Sequence, residues 1–569
     1  MSDVKHPETN KLFCCRWVRD QIPTTFRDEL YHILRMTGPL LLCRILHYLL
    51  PFVVTIFCGR LGNEVMAGYG LASAAINITT TATGCGLGLA CDTLVSQTFG
   101  GKNLLRVGVI LQRSIIILML FCLPCWGLLI NAQLILLCLG QDPEVARIAQ
   151  LYITAFLPAV PAMFLYNLQV SYLQNQGIIL PQMYAAALAN VANVVTNYAF
   201  LYWLDLGVGG SAAANTLSQI YICVFVFAYI WWKKLHSTTW GGWSVESLQE
   251  WGSYMKLAVP STLMTCFEWW VYEFGGFFAG MLSEDELAAQ HAVIMVAFIT
   301  YMFPLGIQAA ACARVGNALG AGDTARALLT SKMSLSLAAS FAVVEGVVLG
   351  STKTTIVSVT LICDASKAFQ LFIVICVCTG IFLGTGKQKI PAVANLIGYY
   401  CIGLTFICLF SVGFWLGLLV CVVLQSTFYI IVIFRLNWVK MTEEAVKRAK
   451  KRTNKTLLGT DVSLDTEGSI TNRMASSNGN TVEGYMSVKT EQHDEDSETK
   501  DRRAVQQQKP SRLSTTQLII GRGLILFAAL VLLAVGAAVH LLVPLPEVDS
   551  AKANLTLGWI NTTFIYITL

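Results

Sequence analysis

Thirteen apolar runs, most of them about 20 residues long, leave this chain few ways to fold. They fall at 36–58, 66–93, 107–130, 147–170, 182–203, 209–232, 257–281, 288–311, 328–350, 366–385, 390–411, 414–434 and 517–543. A helix of about 20 residues spans roughly 30 Å of hydrocarbon at 1.5 Å per residue. In lipid its backbone also satisfies its own hydrogen bonds. The expected fold is an all-α polytopic membrane protein. The 569 residues are 55% hydrophobic and only 13% charged, too few charges for a soluble chain of this size.

An odd number of spans puts the termini on opposite faces, and the basic residues orient them. Alternate loops carry Lys102 with Arg106, Lys233 with Lys234, Arg314 with Arg326, Lys387 with Lys389, and a run from Lys440 to Arg452. The others carry Arg60, Arg147, Lys353 and Lys367. Basic loops stay cytoplasmic, so the N-terminus is expected inside and the C-terminus outside. The net charge of +5 is therefore a topology signal and not a nucleic-acid one. The 18 cysteines sit mostly within apolar runs, as Cys43, Cys58, Cys122, Cys376 and Cys401 do, and read as small packing residues.

The expected organisation is an N-terminal cytoplasmic arm (1–35), six spans (36–232), a cytoplasmic connection (233–256), six more spans (257–434), a polar linker (435–515), a thirteenth span (516–543) and an extracellular tail (544–569). The linker, rich in Ser, Thr, Glu, Lys and Gln, cannot bury a core and reads as disordered. In the connection, Trp240-Gly-Gly-Trp243 reads as an interfacial amphipathic helix. Asn554 and Asn561 in the tail begin sequons and are glycan candidates. Asn77 and Asn454 also begin sequons, but in a span and in the linker, where no glycan is expected.

The first twelve spans repeat. At an offset of 220 positions Gly86 meets Gly306, Ala90 meets Ala310, Gly100 meets Gly320 and Arg106 meets Arg326. At an offset of 210, Leu173–Pro181 matches Leu383–Pro391. Both offsets preserve span parity. Two six-helix bundles related by an axis along the membrane normal are expected, a transporter arrangement. The paired glycines read as helix C-caps.

One span is chemically out of place. The seventh carries Glu268 and Glu273 among Trp269, Trp270 and Tyr272. Glu268 lies 12 residues past Lys256, roughly 18 Å along the helix and near the midplane. Acids at that depth are costly and usually face a bundle interior or a water-filled pathway. Desolvation disfavours the charged form, so such a carboxylate takes up protons near neutral pH. Ionised, it attracts a cation, which an aromatic face supports. A group that holds either a proton or a cation suits an antiporter. In the first half, Arg44 and Asp92 lie at similar depth and are expected to pair. Asn77, Asn190, Asn193 and Asn197 either line a cavity or bond neighbouring helices. Arg314 is expected to snorkel. No Gly-rich nucleotide loop is present, and the seven histidines form no catalytic constellation. No enzyme activity, nucleotide or cofactor is expected, so a proton gradient is the expected energy source.

The 6+6 arrangement, the segments CDTLVSQTFGGKN (91–103) and ARVGNALGAGD (313–323), and EWWVYE (268–273) resemble the multidrug and toxin extrusion (MATE) transporters. The thirteenth span after a long linker resembles their vertebrate solute-carrier branch. The resemblance covers roughly 30–440. It implies a V-shaped, two-lobed fold in the plasma membrane, alternating access, and electroneutral exchange of organic cations for protons. It further implies that Glu268 is the essential acid of the second lobe and Glu273 an acid nearby; from the residues themselves, Trp269, Trp270, Tyr272 and Tyr301 are expected to line the cavity there, and Asn77 and Asn193 that of the first lobe. The same resemblance implies further acids in the eighth and tenth spans, where this chain has Met295 and Phe372. The tenth span has only about 15 continuously apolar residues, short of the ~20 expected. Two alternatives therefore stand: sodium coupling on the same scaffold, or a transport-deficient isoform.

Overall fold

The computed structural model describes residues 23–282, 284–356, 360–403, 413–450 and 514–545, with side chains for these except 63, 273–300, 349–370, 413–416 and 515. Among the described residues every regular element is helical. In chain order these are α1 (Thr24–Leu61), α2 (Asn63–Ile76), α3 (Ala82–Gly100), α4 (Leu104–Leu129), α5 (Ala132–Cys138), α6 (Pro143–Phe156), α7 (Ala159–Gln174), α8 (Leu180–Tyr198), α9 (Gly207–Trp232), α10 (Trp251–Leu282), α11 (Glu284–Gly320), α12 (Thr324–Ile356), α13 (Thr360–Thr385), α14 (Lys389–Asn395), α15 (Gly413–Arg435), α16 (Trp438–Ala449) and α17 (Thr515–Leu542). Six helices are long and apolar enough to cross a membrane among the described residues. A seventh span results if α6 and α7, bent by 56° at their junction, are taken together.

Each expected apolar run lies on helix, apart from single end residues, a break at 157–158 in the fourth, and the part of 390–411 beyond residue 403, which falls outside the described residues. Three runs contain π-helical stretches: Asn77–Thr81 joins α2 to α3, Ala199–Trp203 extends α8, and Leu396–Gly403 extends α14. The last two belong to the fifth and eleventh runs, which correspond in the two repeats. Such stretches mark places where the helical ladder is locally loosened.

The apolar side chains form two large cores. One is built from residues between Leu50 and Ala258, the other from residues between Val271 and Ala445. The halves meet crosswise, α3 of the first packing on α10 and α11, and α11 also on α1.

This meeting explains the repeated glycines. A Cβ at Gly100 would collide with the Asn317 carbonyl, and a Cβ at Gly320 with the Gln97 carbonyl. Gln97 and Asn317 are themselves repeat mates at the offset of 220. The same segment of each half thus lies against its own counterpart, backbone on backbone. The C-cap reading is corrected accordingly. The left-handed turn positions are Lys102 (φ 56°) and Gly322 (φ 84°), two residues later, while Gly100 and Gly320 still end their helices and serve close approach.

Hydrogen bonds fasten the same end. Thr93 Oγ1 donates to the Leu383 carbonyl at 2.8 Å, Gln97 Nε2 to the Gly384 carbonyl at 2.9 Å, and Asn317 Nδ2 to the Asn175 carbonyl at 3.2 Å. Arg314 does not snorkel. It binds Glu29 of α1 through two bonds of 2.7 Å, with Thr330 adding a third at 2.6 Å. Glu29 is only 5% exposed, so a bidentate partner is needed to offset its desolvation. Helix α1 accordingly starts at Thr24, well before the apolar run begins at residue 36.

Two polar segments also depart from expectation. The stretch from Trp438 is helical as α16, whose Ala445 and Ala449 are buried and whose Arg448 donates to Gln97 Oε1 at 2.9 Å. The Trp240–Trp251 connection holds only a 3-10 turn, Val245–Leu248, because Gln112 and Arg113 of α4 take its backbone groups at Gly242, Glu246 and Ser247. Helix α17 docks on α4, where Gly536 lies against Gly127 and Asn131 Nδ2 donates to the Gly536 carbonyl at 2.8 Å. Its Arg522 donates to the Leu248 carbonyl at 3.0 Å and lies 4.2 Å over the Trp251 ring.

Gly320→Val is expected to lower the apparent melting temperature, since overpacking costs about 1–3 kcal/mol or more when backbone must move. Gly88→Ala, whose Cβ meets nothing within 4 Å, should leave it unchanged in the same thermal scan. Glu29→Gln should lower it too, because breaking a buried pair costs about 3–5 kcal/mol.

Candidate functional site

The interior of the second half is assembled from α10, α11, α13, α14 and α15. Glu268 sits on α10, and Tyr301 of α11 donates to its Oε1 at 3.2 Å. Tyr272, one turn on from Glu268, packs with Tyr301 against the second core. Phe372 of α13 closes the cluster, its ring centroid 5.5 Å from that of Tyr301. An aromatic ring therefore stands where the family resemblance implies an acid.

A polar network holds α10 at the turn that presents Glu268. Asn395 Nδ2 donates to the Met264 carbonyl at 2.9 Å. That carbonyl is also the helical acceptor for the amide of residue 268. Gln425 Nε2 donates to Asn395 Oδ1 and, at 2.8 Å, to the Tyr429 hydroxyl. Tyr429 in turn donates to Asn395 Oδ1 at 3.0 Å. All three are buried, and a satisfied buried network specifies one arrangement. The Tyr399 hydroxyl and the Trp270 indole N–H are buried without a partner among the described residues, so both are available to a ligand or water.

The expected site residues divide as follows. Glu268, Tyr272 and Tyr301 come together. Trp270 places its polar atom inside the protein, whereas Trp269 is 36% exposed. The side chain of Glu273 lies outside the described residues, as does that of Met295, and Asn554 and Asn561 lie outside them entirely. Asn193 donates to the Leu50 carbonyl at 3.1 Å and Asn190 to the Leu46 carbonyl at 2.7 Å, so these two bond α8 to α1. Asn77 opens the π-helical stretch and is exposed.

The expected Arg44–Asp92 ion pair is not formed. Asp92 Oδ1 accepts from Ser171 at 2.8 Å and from Asn175 at 2.6 Å, both on or just beyond α7. Two neutral donors one turn apart reach the carboxylate first. Arg44 instead borders a separate cavity. Similar depth along two helices does not fix which faces meet.

Several polar groups escape a reading of the sequence: Asn395, Gln425 and Tyr429, and also Glu345 on α12, a carboxylate only 6% exposed. Each nonetheless leaves a signal, as a polar residue inside an apolar run.

Gln425→Leu should remove two buried hydrogen bonds, while Asn395 and Tyr429 keep their bond to each other, and at about 0.5–1.5 kcal/mol each the loss should read as a lower melting temperature. Thr427→Val, two residues on and exposed, should be neutral.

The MatE family model matches residues 39–199 and 260–409, which covers both halves and includes Glu268 and Tyr301. The chain is 44% identical over 562 residues to multidrug and toxin extrusion protein 1 of Danio rerio, covering 95% of each. To the human protein of that name it is 41% identical over 549 residues, covering 91% of this chain and 94% of the relative. Among solved structures, the eukaryotic MATE transporter AtDTX14 shares the fold with a TM-score of 0.70 at 23% identity, over 75% of this chain and all of that one. The Vibrio cholerae MATE transporter VcmN, in its bent form, gives 0.64 at 17% identity, over 75% of this chain and all of that one. With its two cross-packed repeats, its membrane-length helices and Glu268 on α10, this chain is a multi-pass membrane protein that belongs to the MATE family of multidrug and toxin extrusion transporters.

Proposed function

We propose that this chain is a proton-coupled antiporter that exports organic cations across the plasma membrane by alternating access. One observation carries the reading: Glu268 stands in an aromatic interior with Tyr301 as its hydrogen-bond donor. A carboxylate there gains most from either of two partners, a proton or a cation. Ionised, Glu268 attracts the cation, which the surrounding tyrosine rings also favour. Protonated, it releases it. The two cannot occupy the site together, and that exclusion is the coupling.

The reading takes the thirteen helical runs as twelve spans in two six-helix lobes plus a thirteenth, with the N-terminus and the basic loops cytoplasmic and the tail extracellular. The end fastened by Gln97, Asn317 and Glu29 is then the cytoplasmic one, and the structure corresponds to a state closed to the cytoplasm. Exchange requires those contacts to break and re-form in each cycle. The asymmetry of the lobes supports placing the proton in the second, because the first span has no counterpart of Glu268.

The alternative of a transport-deficient chain rests on a short tenth span. Helix α13 runs for 26 residues, about 39 Å, although its clearly apolar portion is Leu371–Thr385. Helical length therefore does not favour that alternative.

In vesicles, an outward-directed proton gradient is expected to drive uptake of tetraethylammonium, and Glu268→Gln to abolish the gradient dependence. Tyr301→Phe removes a bond to a charged group, worth about 1.5–3 kcal/mol, and should weaken cation affinity about tenfold or more while leaving coupling intact. Uptake that follows sodium and ignores the proton gradient would select sodium coupling. Normal surface expression without flux of any cation would select the transport-deficient reading.

A further inference from the structure

The first half contains a cavity of about 20 Å³ between α1, α7 and α8. That is room for one or two waters or a halide ion, and far too little for a drug-sized cation. Arg44 and His47 border it from α1, Asn167 and Gln174 from α7, and Gln182 from the start of α8. No carboxylate is among the lining residues.

Two facts make this cavity unusual. First, Arg44 brings a fixed positive charge to membrane depth and makes no ion-pair contact among the described residues: Asp92 is near enough to interact with it electrostatically, but its carboxylate is bonded to Ser171 and Asn175. A guanidinium there gains from an anion in direct contact, which Asp92 does not supply. Second, several polar groups around it have no hydrogen-bond partner among the described residues. Gln182 is 0% exposed, yet neither its Nε2 nor its Oε1 has a partner among the described residues. His47 Nδ1 and Gln174 Oε1 are likewise buried without one. The His47 ring is fixed by stacking on Tyr166, 5.3 Å between centroids. Buried polar groups are normally satisfied, so orphans clustered on one small cavity point to an occupant.

We propose that this cavity binds a small monovalent inorganic anion, chloride, which neutralises Arg44 and accepts a hydrogen bond from Gln182 Nε2. The charge of Arg44 disfavours a metal cation, and the small volume favours a small inorganic anion over an organic one. The site is separate from Glu268 and does not depend on the proposed coupling. Its occupant acts as a structural counter-ion that holds α1 to α7 and α8.

The test is the melting temperature of the purified full chain as sodium chloride or bromide replaces sodium gluconate at constant ionic strength. Ligand binding to the folded state raises stability in a saturable way. A saturable rise is expected for the unaltered chain and for Glu268→Gln, and its loss in Arg44→Gln and in Gln182→Leu. The second variant keeps the charge and guards against a folding defect in the first. Melting that is indifferent to the halide in the unaltered chain, or that responds equally in both variants, overturns the proposal and leaves water as the occupant.

Discussion

The contact on which the rest of the structure depends is the crossing of α3 with α11, where Gly100 faces the Asn317 carbonyl and Gly320 faces that of Gln97. Two helical backbones approach this closely only where a side chain is missing. In a membrane, where lipid is as apolar as leucine, such small-residue packing and the hydrogen bonds beside it supply the attraction between helices. Because each partner is the other's repeat mate, one short motif provides both surfaces of the joint. The bonds from Thr93, Gln97 and Asn317 and the Glu29–Arg314 pair gather around this end.

This joint is not held by apolar packing alone. It is made of neutral backbone-directed bonds of modest net worth, about 0.5–1.5 kcal/mol each, beside a buried ion pair. The neutral bonds are individually weak, and the ion pair is the costly contact to break. The second-half site has the opposite character. The Asn395–Gln425–Tyr429 network is fully buried and ties three elements at the turn of α10 that carries Glu268. A buried network with its groups satisfied specifies one arrangement of the residues around Glu268.

The two halves have diverged within one scaffold. The second concentrates aromatic hydroxyls around an acid. The first places a base, Arg44, beside amides without partners. The fold repeat therefore does not carry a chemical repeat with it. Helix α17, fastened by Gly536, Asn131 and Arg522, adds to the first half and to the connection between the halves.

Hydropathy suffices for fold class, for the helical runs and for the singular position of Glu268, because lipid penalises every unpaired backbone group and every charge regardless of partner. The spacing of loop glycines suffices for the repeat. What these signals lack is azimuth. Nothing in the chain order says which face of α1 meets α7, so depth alone pairs Arg44 with Asp92 although Ser171 and Asn175 hold that carboxylate. Nothing in it says that a polar segment after Arg435 finds a docking surface and becomes α16, or that Arg314 meets Glu29 across 285 positions. The sequence by itself determined where apolar surface and charge had to be placed. Only the tertiary structure decided which polar groups found partners, because that depends on helix rotation and crossing, which close packing sets and composition does not.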